Sequence, residues 1–290
     1  MPFSAEETAA CTRLARLALD EDLGTLGDLT SQAVIPESAT GQAVFVSRVS
    51  GVVAGLPAAR IVFGLLDPQV VFQELLADGS PIHQGTQLAI VRGPMRSILI
   101  GERTALNFMQ RLSGIASLTA EHVRLIADLP CKLFDTRKTT PGWRLLEKYA
   151  VRQGGGHNHR MGLCDGVLIK DNHLAALGRT PDVVARAVEL ARAKHGQNVP
   201  LEIEVDTLEQ LDVALTAAPD IVLLDNMPPD VLLEAVARRN GVGPHVLLEA
   251  SGGVSLATLR AVAESGVDRV SLGALTHSAK ALDIGLDYLF

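Results

Sequence analysis

The stretch 201-LEIEVDTLEQLDVALTAAPDIVLLDN-226 holds two short apolar runs that end in acids, with an amphipathic pattern between them. Each run is rich in Val, Ile or Leu and reads as a strand buried on both faces. The segment from Thr207 reads as the helix that joins two parallel strands. The same unit recurs on both sides. Further runs lie at 131-CKLFDT, 166-GVLIKD, 245-HVLLEAS and 268-DRVSLGA, and helical patterns at 181-PDVVARAVELARAKHG, 228-PPDVLLEAVARRNG and 255-SLATLRAVAESGV. Pro181, Pro228 and Pro229 suit first helical turns, and Gly196, Gly241 and Gly266 suit C-terminal stops. Six strand–helix alternations with short connections predict an α/β fold with a parallel sheet. A closed or nearly closed barrel fits best, and an open doubly wound sheet is the alternative.

The strands end, in order, on Asp135-Thr136-Arg137-Lys138, Lys170-Asp171-Asn172, Glu204 with Asp206, Asp225-Asn226, Ser251-Gly252-Gly253 and Gly273. Polar chemistry at every C-terminal strand end is the signature of a barrel enzyme. The first 110 or so residues read differently. A helix over 5–20 leads into the turn-rich 22-DLGTLGDLTS-31. The β-like runs 42-QAVFVSRVSGVVAGL-56 and 87-QLAIVRGP-94 then flank a helical 57-PAARIVFGLL-66. A long helical stretch over 97–127 follows. A domain boundary near Ser113–Gly114 is expected, giving an N-terminal domain over 1–113 and a barrel over 114–276, with the tail 277–290 packing back on the first.

The chain has 290 residues, 47% hydrophobic and 20% charged, so it can bury a large core. Its net charge of −7 and its 3% aromatic content argue against nucleic acid as a partner. No run approaches the roughly 18–20 apolar residues of a membrane span. The N-terminus carries acids early and lacks the apolar core of a secretory signal. Cys11, Cys131 and Cys164 have no CxxC spacing and read as free thiols of a reducing compartment. A cytoplasmic protein is the expectation.

Six Lys and Arg residues fall within 135-DTRKTTPGWRLLEKYAVRQGGGHNHR-160. Arg137, Lys138, Arg160 and Lys170 would set four cations in one barrel mouth, with His157 and His159 adding to them. Such density needs an anionic ligand, and guanidinium groups match carboxylate and phosphate oxygens. The run 154-GGG-156 lets the backbone approach a ligand or a neighbouring chain. Opposite, Glu204 and Asp225 end neighbouring strands and suit Mg²⁺ or sugar hydroxyls. The loops 251-SGG-253 and 271-SLGA-274 offer backbone N–H groups to a phosphate. The pair His157-x-His159 has no third ligand at metal spacing, so no metal centre is expected there.

The block 135-DTRKTTPGWRLLEKYAVRQGGGHNHRMGLCDGVLIKDNH-173 closely resembles the central signature of the quinolinate phosphoribosyltransferase family. The resemblance extends to 22-DLGTLGDLTS-31, 101-GERTALNFMQRLSGIAS-117, 202-EIEVDTLEQL-211, 221-IVLLDNM-227 and 271-SLGALTHSAKALDIGLD-287, which is most of the chain. It implies a type II phosphoribosyltransferase fold, an N-terminal α/β sandwich domain plus an incomplete barrel of roughly seven strands. It implies a homodimer or a dimer-based hexamer, with Arg103 reaching the neighbouring subunit's site. The resemblance places quinolinate carboxylates against Arg103, Arg137, Lys138, His159 and Arg160, with Thr136 among the substrate-binding residues. Lys170 would lie between the dicarboxylate and phosphoribosyl pyrophosphate. Glu204 and Asp225 would take the ribose hydroxyls and Mg²⁺. Ser251, Gly252, Gly253, Leu272, Gly273 and Ala274 would hold the 5′-phosphate, and Lys138, Lys170, Glu204 and Asp225 would be catalytic. Trp143 departs from the aliphatic residue usual after Pro-Gly and is read as packing variation. A sister phosphoribosyltransferase acting on another base is the nearest rival activity. The segments 156-GHNHR-160 and 169-IKDNH-173 favour the quinolinate enzyme.

Overall fold

The computed structural model describes residues 2–178, 180 and 182–289. Pro181, expected in a first helical turn, lies outside the described residues. In chain order the elements begin with α1 (Ala5–Leu23), α2 (Leu29–Val34), β1 (Thr40–Ser47), β2 (Gly51–Val52), α3 (Leu56–Leu66) and β3 (Val71–Glu74). Next come β4 (Pro81–Ile82), β5 (Gln87–Pro94), α4 (Met95–Leu125), β6 (Lys132–Phe134), α5 (Arg144–Gln153) and β7 (Val167–Ile169). These are followed by α6 (Asp171–Leu177), α7 (Val183–His195), β8 (Leu201–Val205), α8 (Leu208–Ala217), β9 (Ile221–Asp225) and α9 (Pro229–Val242). Last are β10 (Leu247–Ser251), α10 (Leu259–Glu264), β11 (Arg269–Ser271), α11 (Ala274–His277) and β12 (Ile284–Tyr288). Pro228 caps α9 and Pro229 opens it, but the helix runs past Gly241 and is capped by Gly243.

The chain forms two compact units and crosses between them more than once. One comprises the residues up to Ala120, Lys138–Gly155 and those from Ala274; the other comprises Glu121–Arg137 and Gly156–Gly273.

In the first unit an antiparallel sheet runs β12-β1-β5-β3, and β2 pairs with β4. Its core gathers Phe45, Phe63 and Phe72 in mutual ring contact. A capping box starts α1: the Ser4 hydroxyl accepts from Glu7 N at 3.1 Å, and Glu7 accepts from Ser4 N at 2.8 Å. Helix α4 runs unbroken through Ser113–Gly114, where the sequence suggested a boundary. Those residues are small for a packing reason. Ala54 N donates to Ser113 Oγ at 2.9 Å, and a Cβ on Gly114 would collide with the carbonyl of Lys280. Trp143 stacks on Phe108 with centroids 4.8 Å apart, in keeping with a packing role. The tail supplies β12, whose residues Ile284–Tyr288 pair antiparallel with Ser47–Ala43 of β1.

In the second unit six parallel strands run β6-β11-β10-β9-β8-β7. This is a ring order cut once: β6 pairs with β11 but not with β7. The order proceeds one way around, without the reversal that a doubly wound sheet requires. A single parallel bridge, Phe134 to His157, adds one rung at the free edge of β6. The incomplete barrel therefore has six strands plus that rung, not seven full strands.

Register separates the two faces. Glu204 and Glu249 both lie opposite Leu223, and Arg269 lies opposite Glu249. With a side-chain period of two, Glu202, Asp225, Ser251 and Ser271 share that face. The other face carries Leu201, Ile203, Val205, Val222, Leu224, Leu248, Ala250 and Val270, all buried. The strands are buried on both faces, as expected, with β8 buried throughout, but only one face is apolar and the other collects charge.

Among the described residues no helix is long and apolar enough to cross a membrane. Cys11 and Cys131 are buried, and burial pushes both thiols up to about 12. Cys164 is exposed. Since the thiolate is the reactive form, one thiol per chain is expected to react rapidly with Ellman's reagent in the native protein. The other two should appear only on unfolding, and a rapid native count of two or three would contradict the burial.

Candidate active site

Asp135, just past β6, is fully buried and organises the segment that follows the glycines. Its Oδ1 accepts from His159 N at 2.9 Å and its Oδ2 from Asn158 Nδ2 at 2.6 Å. The backbone adds Asp135 N to His157 O at 3.0 Å and His157 N to Leu133 O at 2.8 Å. These bonds hold residues 157–160 against the end of β6 and bring Arg160 close to Arg137.

Arg160 Nη1 donates to Gly166 O at 2.9 Å. The Nε atoms of Arg137 and Arg160 are buried without a hydrogen-bond partner among the described residues. Burial, and then the charge of Arg137, holds the Arg160 guanidinium below its ordinary value. Two adjacent cations with unsatisfied buried donors call for an anion with several acceptor oxygens.

Lys170, at the N-terminus of α6, pairs its ammonium with the Glu204 carboxylate at the end of β8. Asp225 Oδ2 accepts from Asn226 Nδ2 at 2.6 Å. Asn226 adopts φ 54°, a left-handed conformation seldom held outside glycine. Its N–H donates to Ser251 O at 2.8 Å. Gly252 has φ 85°, and a Cβ there would strike the Asn226 amide; Gly253 has φ 63°. The 251-SGG-253 turn and the Asp225–Asn226 pair thus fix each other. At the end of β11, Leu272 N donates to Phe134 O at 3.0 Å.

The second unit therefore holds Thr136, Arg137, His159, Arg160, Lys170, Glu204, Asp225, Ser251, Gly252, Gly253, Leu272 and Gly273. Arg103, Lys138 and Ala274 belong to the first unit. Arg103 is exposed on α4, and the Lys138 carbonyl accepts from Thr276 Oγ1 at 2.8 Å.

The other basic residues of the 135–160 block serve the first unit. Arg144 Nε donates to Thr139 Oγ1 at 3.1 Å, Arg152 pairs with Glu7, and Lys148 is fully buried. Within the glycine run, Gly154 has a packing reason of its own. A Cβ on Gly154 would collide with the carbonyl of Ala116 and stand 2.6 Å from Thr119 Cβ, so this glycine lets α5 approach α4. His157 does not join the cation group as expected. It stacks on Phe134 at 5.3 Å, and burial, Lys132 and Arg269 together hold its pKa down.

Glu202 and Glu249 were missed in the sequence. Both are buried, and both face His159, whose Nε2 lies 2.9 Å from Glu202 Oε2 and 3.5 Å from Glu249 Oε1. Burial, with Glu202 beside it, pushes the Glu249 carboxyl well above its ordinary value. Alternation in 201-LEIEV was the available signal: Glu202 and Glu204 must share a face.

Family models add a separate observation. The quinolinate phosphoribosyl transferase N-terminal domain matches residues 28–113, and the C-terminal domain matches 115–287. The chain belongs to the quinolinate phosphoribosyltransferase family. A probable nicotinate-nucleotide pyrophosphorylase [carboxylating] of Bacillus subtilis (strain 168) is 46% identical over 269 residues, spanning 92% of this chain and 89% of that one. The nicotinate-nucleotide pyrophosphorylase [carboxylating] of Mycobacterium leprae (strain TN) is 45% identical over 276 residues, spanning 94% and 95%. The solved nicotinate-nucleotide pyrophosphorylase from Francisella tularensis superposes with a TM-score of 0.91 at 40% identity, covering 97% of each chain. In this quinolinate phosphoribosyltransferase fold, the segment 157–160 and the strand ends of the second unit form the candidate site.

Proposed function

We infer that the chain is a quinolinate phosphoribosyltransferase of NAD biosynthesis. It joins the ring nitrogen of quinolinate to C1 of phosphoribosyl pyrophosphate and yields nicotinate mononucleotide, pyrophosphate and CO₂. Family membership over both domains supports the activity. The single observation that carries the site is the Arg137–Arg160 pair with its two unsatisfied buried donors, a match for the carboxylates of a small diacid.

In this reading Arg137, Lys138, His159 and Arg160 orient the quinolinate carboxylates, Thr136 joins the substrate-binding residues, and the neighbouring subunit's Arg103 closes the pocket in a homodimer or a dimer-based hexamer. Lys170 stands between the diacid and the sugar donor. Glu204 and Asp225 take the ribose hydroxyls, and Ser251, Gly252, Gly253, Leu272, Gly273 and Ala274 take the 5′-phosphate. The three free thiols suit a cytoplasmic location.

Glu204 and Asp225 also fit Mg²⁺. Among the described residues no third ligand joins them in a ready-made metal cluster. One or two carboxylates completed by substrate phosphates is the set this ion ordinarily takes. When bound, Mg²⁺ would neutralise charge on the pyrophosphate.

The cationic groups hold the ring nitrogen against C1 of the ribose. As the C1–O bond breaks, its electron pair leaves with pyrophosphate and positive charge develops on the sugar. Glu204 and Asp225 stabilise that charge. The nitrogen lone pair forms the new N–C1 bond. The quaternised ring then accepts the electron pair left when the 2-carboxylate departs as CO₂, and a proton replaces it at C2. No covalent enzyme intermediate is required.

The test is incubation with quinolinate labelled in the 2-carboxylate, phosphoribosyl pyrophosphate and Mg²⁺. Labelled CO₂ should appear in step with pyrophosphate. Failure to release CO₂, with nicotinate accepted instead, would overturn the assignment. Gly252→Ala should raise KM for phosphoribosyl pyrophosphate about tenfold or more, because the new Cβ displaces Asn226 from Asp225. KM for quinolinate should stay within about twofold, since the carboxylate-binding arginines are untouched. Equal losses for both substrates would remove the SGG turn from the sugar-phosphate end.

A further inference from the structure

The charged face of the parallel sheet carries a buried group that the reaction above does not use. Glu202 on β8 and Glu249 on β10 are 3% and 0% exposed, and both turn toward the His159 ring. His159 is held at three points. Its N–H donates to Asp135 Oδ1 at 2.9 Å, its Nδ1 accepts from Arg160 N at 2.8 Å, and its Nε2 lies 2.9 Å from Glu202 Oε2.

The tautomer follows from these contacts. A ring nitrogen that accepts a hydrogen bond carries no hydrogen, so in the neutral ring the hydrogen is on Nε2 and is donated to Glu202. A divalent cation among His159, Glu202 and Glu249 would need the Nε2 lone pair, which the proton occupies. The cluster has the composition of a metal centre, since one ligand atom from each residue lies within 4.8 Å of the others. The Arg160 N–H makes it a strut instead.

We propose that Glu202 and Glu249 are positioning residues for the quinolinate pocket: they lock the His159 ring as its Nε2–H tautomer, and that ring fixes the backbone from which Arg160 projects. The proposal rests on the quinolinate reading of the Arg137–Arg160 pair. Glu202 supplies the acceptor. Glu249, at 3.5 Å from the same nitrogen, backs it from the next-but-one strand. Arg269, whose guanidinium sits 4.0 Å from Glu249 and 4.7 Å over the Phe134 ring, closes the cluster on its far side. Both His159 ring nitrogens thereby have partners inside the protein.

The test combines kinetics with ¹⁵N NMR of the histidine rings. In the free wild-type protein, with His159 assigned by His159→Gln, its ring should show one protonated Nε2 and one unprotonated Nδ1. Glu202→Ala should raise KM for quinolinate about tenfold, leave KM for phosphoribosyl pyrophosphate within about twofold and mix the ring tautomers. Glu202→Gln keeps an acceptor and should restore quinolinate KM to within about threefold of wild type. A wild-type ring protonated on Nδ1 would overturn the proposal. So would a Glu202→Ala enzyme with unchanged quinolinate KM, or stoichiometric Zn²⁺ binding to the chelator-treated protein that Glu202→Ala abolishes. The NMR measurement needs no substrate and no folded variant at Glu202. It therefore decides the strut even if wild-type CO₂ release fails and the activity assignment falls.

Discussion

Arg137→Ala is expected to lower kcat/KM for quinolinate by about a hundred- to a thousandfold, the usual loss when one preorganised charged donor is removed. The same change should leave the fold intact or slightly more stable. The wild-type side chain keeps a buried Nε without a partner and repels Arg160. Removing it ends both costs in the free protein, while the bound diacid loses a charge-assisted contact. Opposite signs for activity and stability are the mark of a residue retained for its ligand. Steady-state kinetics beside chemical denaturation measure both. Activity within about threefold of wild type would dissolve the carboxylate assignment, and a large loss of stability would make Arg137 a structural residue.

Gly154→Ala is expected to destabilise the protein by about 3–5 kcal/mol, lowering the midpoint of thermal unfolding by roughly 10 °C. The conformation of Gly154 is not the reason. Its φ of −80° is open to any residue. The reason is contact: the added methyl would meet the Ala116 carbonyl and Thr119 Cβ on α4, and backbone cannot yield as a flexible side chain can. If the glycine run served only the approach of a ligand, Gly154→Ala would spare stability and strike activity. Calorimetry of the variant separates the two outcomes.

Much of the second unit could be read from pattern. Runs such as Ile221–Asp225 alternate with helices that have clear starts, and each strand ends on a polar residue, so the parallel sheet and the positions of Arg137, Lys170, Glu204 and Asp225 followed. Helix α5 escaped because its charged residues hide the stripe Leu146, Tyr149 and Ala150, all fully buried. Pairings were out of reach for a different reason. Whether Lys170 meets Glu204, or Glu202 and Glu249 meet at His159, depends on register between strands far apart in sequence. Nor could the sequence divide the basic block, in which Arg152 answers Glu7 while Arg137 and Arg160 are left with unsatisfied donors.

The pairing of β12 with β1 joins residues 284–288 to 43–47. On a ribosome, the antiparallel layer must therefore wait until residues 284–288 have emerged before its edge can close. The stretch between, Gly156–Gly273, carries its own contacts and can condense meanwhile. Refolding from denaturant should accordingly be slow in its final phase, since closing so long a loop is costly before any rung rewards it. Deleting those five C-terminal strand residues should harm the N-terminal half of the protein first.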